Sequence, residues 1–268
     1  MTDLQSKYEA LKNYLRELGS AAVAFSSGVD STFLLRVAHD VLGDRAVAVT
    51  AHSKFFPARE LDETKEFCAR EGIRQITFEI RQLDLDGVKD NPPDRCYRCK
   101  KALFERIKAL ADENDLACVI EGSNMDDDGD YRPGMKALAE LGIDSPLKHV
   151  GLWKHEIRSL SRELGLPTWD KPSFACLASR FAYGETISED KLAMVERAEE
   201  FLIGHGFRQL RVRIHDRLAR IELEPTEFER LLKIRAEVST VLRTIGFQYV
   251  TLDIQGYRTG SMDEALRM

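Results

Sequence analysis

Apolar and polar positions follow two alternating rhythms through the first two thirds of the chain. Helical spacing over about residues 3–18 gives way to the apolar run Ala21-Ala22-Val23-Ala24-Phe25, and helical spacing resumes over about 31–42. Arg45-Ala46-Val47-Ala48-Val49-Thr50 predicts a second strand, and Pro57 opens a charged helix over about 58–71 that Gly72 ends. A third strand is predicted over about 73–80, then a polar loop rich in Asp and Pro over 84–94, then a helix over about 99–114. Leu116-Ala117-Cys118-Val119-Ile120-Glu121 reads as a fourth strand, and a shorter helix at about 154–165 closes this part. Strands alternating with helices predict a parallel sheet with helices on both faces. Its ligands would bind beyond the carboxyl ends of the strands, where Ser26, Thr50 and Gly122 converge.

The rhythm changes after Pro167. The following stretch, to residue 186, lacks periodicity and carries Trp169, Pro172, Cys176 and Arg180, as a functional loop and linker would. A helix over about 188–205 precedes two adjacent strand patterns, about 209–214 and 218–223, joined at His215-Asp216-Arg217. A helix from Pro225 to about Arg243 and a strand over about 247–254 follow. Two strands on a short turn predict an antiparallel hairpin. The fold class is therefore α/β: a domain over 1–170, a loop and linker over 171–186, and a smaller C-terminal α+β domain over 187–268.

Composition narrows the function. With 268 residues, 43% hydrophobic, the chain can bury a sizeable core. No apolar run approaches the roughly 20 residues of a membrane span, and the first residues hold no signal-peptide core, so a cytoplasmic protein without a membrane partner is expected. A net charge of −6 argues against a broad basic face for nucleic acid. Five cysteines at unequal spacing make no disulfide framework and point to thiol or metal chemistry. A homo-oligomer is expected.

Ser26-Ser27-Gly28-Val29-Asp30-Ser31-Thr32 joins the first strand to its helix. The free N–H groups and positive dipole end of that helix favour an anion, and Gly28 lets backbone approach a phosphate. Asp30 would be repelled by a phosphate unless a cation lay between them, which points to a nucleotide bound with Mg²⁺. The Walker A lysine is missing. The pattern resembles the SGGxDS loop of PP-loop ATP pyrophosphatases, with Ser27 where that superfamily usually has glycine; the alternative is a serine-capped helix after a strand.

Cys96-Tyr97-Arg98-Cys99 lies in a predicted loop just before a helix, and Cys176 lies in a second loop flanked by cations. Three thiols would leave one iron of a cubane cluster open, whereas structural Zn²⁺ needs a fourth ligand such as His149 or His155. Simple loop thiols are the plain alternative for Cys96 and Cys99, and Cys68 and Cys118 fall within element patterns as core thiols. Glu121-Gly122-Ser123-Asn124-Met125-Asp126-Asp127-Asp128-Gly129-Asp130-Tyr131-Arg132-Pro133-Gly134 packs four Asp into five positions, as a cation-binding run or a solvated acidic loop. Arg211 and Arg213 alternate on one strand and share a face, either as phosphate donors or as solvated charges.

Three blocks together resemble the LarE family of PP-loop sulfur transferases: Gly122 to Gly134, the stretch Lys171–Gly184 with Ala-Cys-Leu-Ala-Ser-Arg followed by Tyr-Gly, and the hairpin carrying Arg211, Arg213, His215, Arg220 and Glu222. Asp216 departs from the glycine common after that histidine. The resemblance implies a PP-loop domain followed by a substrate and sulfur-transfer domain. It implies an ATP-dependent enzyme that adenylylates carboxylates of pyridinium-3,5-biscarboxylic acid mononucleotide and converts them to thiocarboxylates, on the route to the nickel-pincer cofactor of lactate racemase. Ser26, Ser27, Gly28, Val29, Asp30, Ser31, Thr50, Gly122 and Asn124 would bind ATP and Mg²⁺, with Asp30 and Cys176 catalytic. Ser179, Arg180, Arg211 and Arg213 would hold the substrate phosphate. Sulfide on a [4Fe–4S] cluster held by Cys96, Cys99 and Cys176 would be the donor; Zn²⁺ at that site, or sacrifice of Cys176 to dehydroalanine, are the alternatives. The rivals are a tRNA thiolase, an amidating synthetase, or a non-enzymatic nucleotide- or metal-binding module.

Overall fold

A computed structural model describes residues 3–127, 133–172, 175–258 and 260–262. The chain forms two compact units: Met1–Ser53, Ala58–Ile80 and Cys96–Phe174 make the first, and Lys54–Pro57, Arg81–Arg95 and Ala175–Met268 the second. The second unit thus gathers two short segments that a linear division of the chain assigns to the first domain.

The first unit is the expected parallel sheet flanked by helices. Its strands are β1 (Ala21–Ala24), β2 (Ala46–His52), β3 (Gln75–Glu79) and β4 (Cys118–Ile120), in the order β3-β2-β1-β4. Its helices are α1 (Asp3–Leu18), α2 (Val29–Leu42), α3 (Ala58–Glu71), α4 (Arg95–Glu113), α5 (Pro133–Leu141), α6 (Pro146–His149) and α7 (Lys154–Glu163). Period-two alternation sorts β1 between two cores. Ala21 and Val23 pack with Leu15, Phe33 and Ile157 from α1, α2 and α7, whereas Ala22 packs with Phe104, Ile107 and Leu138 from α4 and α5. The small strand residues let both helical layers approach, and each buried Leu, Ile or Phe contributes about 1.5–3 kcal/mol. Chain order reverses between β1 and β4, so the segments leaving these two strands border the crevice where open α/β sheets bind ligands.

The second unit holds α8 (Glu189–Gly204), β5 (Leu210–His215), β6 (Leu218–Leu223), α9 (Phe228–Lys233), α10 (Arg235–Ile245) and β7 (Tyr249–Leu252). β5 and β6 form the expected antiparallel hairpin, and β7 adds to β6 in parallel.

Three elements differ from the sequence expectation. Residues 133–149, to which the sequence pattern assigns no element, contain α5 and α6. The single helix expected from Pro225 is a short 3-10 turn followed by α9 and α10, because Ile234 leaves helical geometry at φ −104° and ψ 16°. Cys96 and Cys99 lie in the first turn of α4, not in a preceding loop. Among the described residues, no helix is long and apolar enough to cross a membrane.

Candidate active site

The loop after β1 enters α2 at Gly28, whose extended backbone (φ −72°, ψ 162°) makes the turn without a side-chain cap. The first N–H groups of α2 are therefore not claimed by a capping oxygen, which suits an anion. Ser31 organises the loop from inside: its hydroxyl donates to the Gly28 carbonyl at 3.2 Å and accepts from the Ser26 N–H at 3.3 Å. Ser26 is exposed, with its hydroxyl 3.2 Å from that of Ser31, while Val29 turns into the core. Thr50 supports the loop from below, donating to the Phe25 carbonyl at 3.0 Å and accepting from Gln75 at 2.9 Å. Its hydroxyl is thus engaged within the sheet end.

Asp30 stands at the head of α2, and burial lifts its carboxyl above the usual range against the opposing charge of Lys154. The Lys154 ammonium donates to Asp30 Oδ2, and Asn124 Nδ2 donates to Asp30 Oδ1 at 3.3 Å. Gly122 makes this meeting of β4 and α2 possible: a Cβ there would lie 3.1 Å from both Asp30 Cβ and the Ser31 nitrogen. Of the acidic run, Asp127 accepts from the Asn124 N–H at 2.9 Å and Asp126 from the Lys154 N–H at 2.6 Å, so both fasten backbone. Asp128 and Asp130 lie outside the described residues.

Lys154, Lys171 and Glu63 are not among the site residues expected from sequence. Lys171 donates to the Ser27 carbonyl and hydroxyl, each at 3.0 Å, and to Glu63, which also accepts from Ser27 at 2.9 Å. Lys154 did leave a signal: a cation opposes the dipole at the start of a helix and needs an anionic partner.

Cys96 and Cys99, one helical turn apart on α4, belong to the first unit, and Cys176 belongs to the second. Among the described residues, no group of three His, Cys, Asp or Glu side chains is placed to hold a metal ion. Three thiols are the donor type that an iron–sulfur cluster takes. His149, one candidate fourth zinc ligand, stacks on Tyr14 with ring centroids 4.2 Å apart. Burial pushes the Cys68 thiol up to about 12 and, first through burial and then through Asp144, the Cys118 thiol up to about 11, which suits inert structural thiols.

In the second unit the arginines come together, and they are not solvated. Arg180, Arg211 and Arg213 are at most 5% exposed. Arg180 forks onto Glu199 of α8 through Nε at 2.9 Å and Nη2 at 2.8 Å, while its Nη1 holds the carbonyls of Ala175 and Cys176 and the Ser179 hydroxyl. Arg213 donates to Glu222 at 2.9 and 3.0 Å and to the Ser179 carbonyl at 2.9 Å. Arg180's charge and hydrogen bonds outweigh burial and hold the Glu199 carboxyl below its ordinary range. Arg220 Nη2 also reaches Glu222 Oε1 at 3.2 Å, so the second unit concentrates four arginines about Glu199 and Glu222. Burial first, then the charge of Arg180, push the Arg211 guanidinium down to about 10. Glu199 was legible only as a helix residue and Glu222 only as the last residue of the LarE-like hairpin, with nothing in their spacing to mark burial.

The chain is 39% identical over 267 residues to the pyridinium-3,5-bisthiocarboxylic acid mononucleotide synthase of Lactiplantibacillus plantarum, covering 99% of this chain and 97% of that protein. It is 42% identical over 265 residues to an uncharacterized protein of Synechocystis sp., covering 98% and 99% of the two chains. One component of the glutamine-hydrolysing GMP synthase of Archaeoglobus fulgidus is 30% identical over 161 residues, 56% of this chain and 52% of that one, in keeping with a PP-loop-like fold. No family model matches.

Proposed function

The chain belongs to the LarE-type family of pyridinium-3,5-bisthiocarboxylic acid mononucleotide synthases, and from that premise we propose that it converts carboxylates of a pyridinium mononucleotide to thiocarboxylates at the expense of ATP. The near-full-length similarity to the Lactiplantibacillus plantarum synthase carries this reading. A carboxylate is a poor electrophile, and adenylylation gives it AMP as a leaving group. The uncapped head of α2 and the Ser26–Ser31 turn would take the ATP phosphates. Asp30, steadied by Asn124, would hold the Mg²⁺ that neutralises departing pyrophosphate, and Lys154 would pass from Asp30 to the phosphates.

The substrate's monophosphate would settle at Arg211 and Arg213, buried guanidiniums of the donor type that holds a phosphate. Arg180 would serve as a fastener, since its guanidinium ties the Cys176 carbonyl to Glu199. Cys96, Cys99 and Cys176 are the donors that would hold a [4Fe–4S] cluster, whose chemistry is to carry sulfide on an iron without a protein ligand. The alternative to a cluster is that Cys176 itself gives up its sulfur. Its thiolate would attack the acyl-adenylate, and β-elimination would release the thiocarboxylate and leave dehydroalanine.

Incubation with ATP, Mg²⁺, sulfide and pyridinium-3,5-biscarboxylic acid mononucleotide tests the proposal. AMP, pyrophosphate and a sulfur-for-oxygen mass change in the nucleotide are expected. ATP turnover with the nucleotide mass unchanged would set the proposal aside.

A further inference from the structure

We propose that the segment following β7 is a working part of the arginine site, with Ser261 and Tyr257 as positioning residues for Arg213 and Arg211. This rests on reading that site as the seat of the substrate's monophosphate. The segment begins with a turn in which the Gly256 N–H donates to the Asp253 carbonyl at 3.0 Å and Gly256 takes φ +75°. A Cβ there would lie 2.8 Å from the Leu223 carbonyl oxygen, so the close return onto β6 requires glycine. The Tyr257 N–H donates to that same carbonyl at 2.8 Å, and the guanidinium carbon of Arg211 lies 5.2 Å from the centre of the Tyr257 ring.

Ser261 is 6% exposed and joins both halves of the ion pair beneath. Its hydroxyl donates to Glu222 Oε1 at 2.7 Å and accepts from Arg213 Nη2 at 3.0 Å. A hydroxyl has one proton to give, so donation to Glu222 turns its lone pairs toward Arg213. Without it, Arg213 and Glu222 would each lose a partner in a buried network, and the guanidinium would lose one of the contacts that fix its plane. Supporting contacts of this kind set the orientation of a ligand-binding group without touching the ligand.

Calorimetric titration with pyridinium-3,5-biscarboxylic acid mononucleotide, and with the same nucleoside lacking its phosphate, reads this role. Ser261→Ala is expected to weaken nucleotide binding about tenfold while nucleoside and ATP binding stay unchanged. Ser261→Thr, which keeps the hydroxyl, restores it. Tyr257→Leu weakens nucleotide binding by a few-fold, and Tyr257→Phe, which keeps the ring face, does not. Unchanged nucleotide affinity in Ser261→Ala, alongside a loss in Arg213→Ala, overturns the proposal and leaves the phosphate reading standing. Parallel loss of nucleotide, nucleoside and ATP affinity makes Ser261 a stability residue and equally overturns it. If Arg213→Ala keeps full nucleotide affinity, the phosphate reading falls, and this proposal with it.

Discussion

Ser27, where the PP-loop pattern leads one to expect glycine, and Asp216, where the LarE resemblance does, both adopt left-handed backbone, at φ +54° and +53°. Each is a small polar residue with local partners: Ser27 holds Glu63 and Lys171, and Asp216 meets Glu185 through its N–H at 2.9 Å and Lys191 at 3.6 Å. The hydroxyl contacts of Ser27 offset the steric cost that glycine avoids. Ser27→Ala keeps that cost and loses the contacts, whereas Ser27→Gly removes it. Denaturant titration should therefore find Ser27→Ala less stable than Ser27→Gly by about 1 kcal/mol, and equal stabilities would mean that the turn carries no strain. Asp30→Ala should abolish AMP and pyrophosphate formation with the fold retained, since burial already disfavours this carboxylate and its value must lie in chemistry. A normal rate of product formation in that variant would end the assignment of Asp30.

At the scale of elements, Glu199 couples α8 to the turn carrying Ser179 and Arg180, and its low carboxyl pKa has a consequence in acid. Ionised Glu199 contributes stability above its unfolded value, about 4.3, and that contribution disappears as pH falls through the lower folded value. Glu199→Gln leaves Arg180 buried against a neutral partner and should cost about 3–5 kcal/mol near neutrality. The stability gap between the two proteins should narrow as pH is lowered below about 4, measured by melting at each pH; a constant gap would refute the linkage. The helix itself was legible, since residues 189–204 carry a clear apolar stripe, as were α1, α3 and β6 to within a residue. Which of Glu196, Glu199 and Glu200 turns inward was not, because burial of a charge is decided by its partner on another element. The same limit hid Lys154 and Lys171, whose partners lie 124 and 108 residues away. α5 escaped for a different reason: nine residues give too few turns for a helical period to stand out from the motif around it.

For the whole molecule, the residues proposed to bind ATP fall in the first compact unit and the arginine cluster in the second, so ligand affinities should separate by variant. Arg211→Ala or Arg213→Ala should weaken mononucleotide binding by tens-fold, from a charged hydrogen bond of about 1.5–3 kcal/mol, and leave ATP affinity nearly unchanged. Equal loss of both would place the arginines in nucleotide binding or general folding. The sulfur source is the last question at this scale, because its three thiols also divide between the units. Cys68 and Cys118, raised to about 12 and about 11, are nearly all thiol at neutral pH and should not react, which leaves Cys96, Cys99 and Cys176 as the cysteines to follow. Anaerobic reconstitution with iron and sulfide should give a brown protein with four irons per chain if these three bind a cubane cluster, and each Cys→Ala change should bleach it. Peptide mass spectrometry after a single turnover decides the alternative. An intact Cys176 with stoichiometric iron supports the cluster. Conversion of Cys176 to dehydroalanine, in a colourless protein whose Cys96→Ala and Cys99→Ala variants still transfer sulfur once, assigns the sulfur to the polypeptide and removes the cluster from the mechanism.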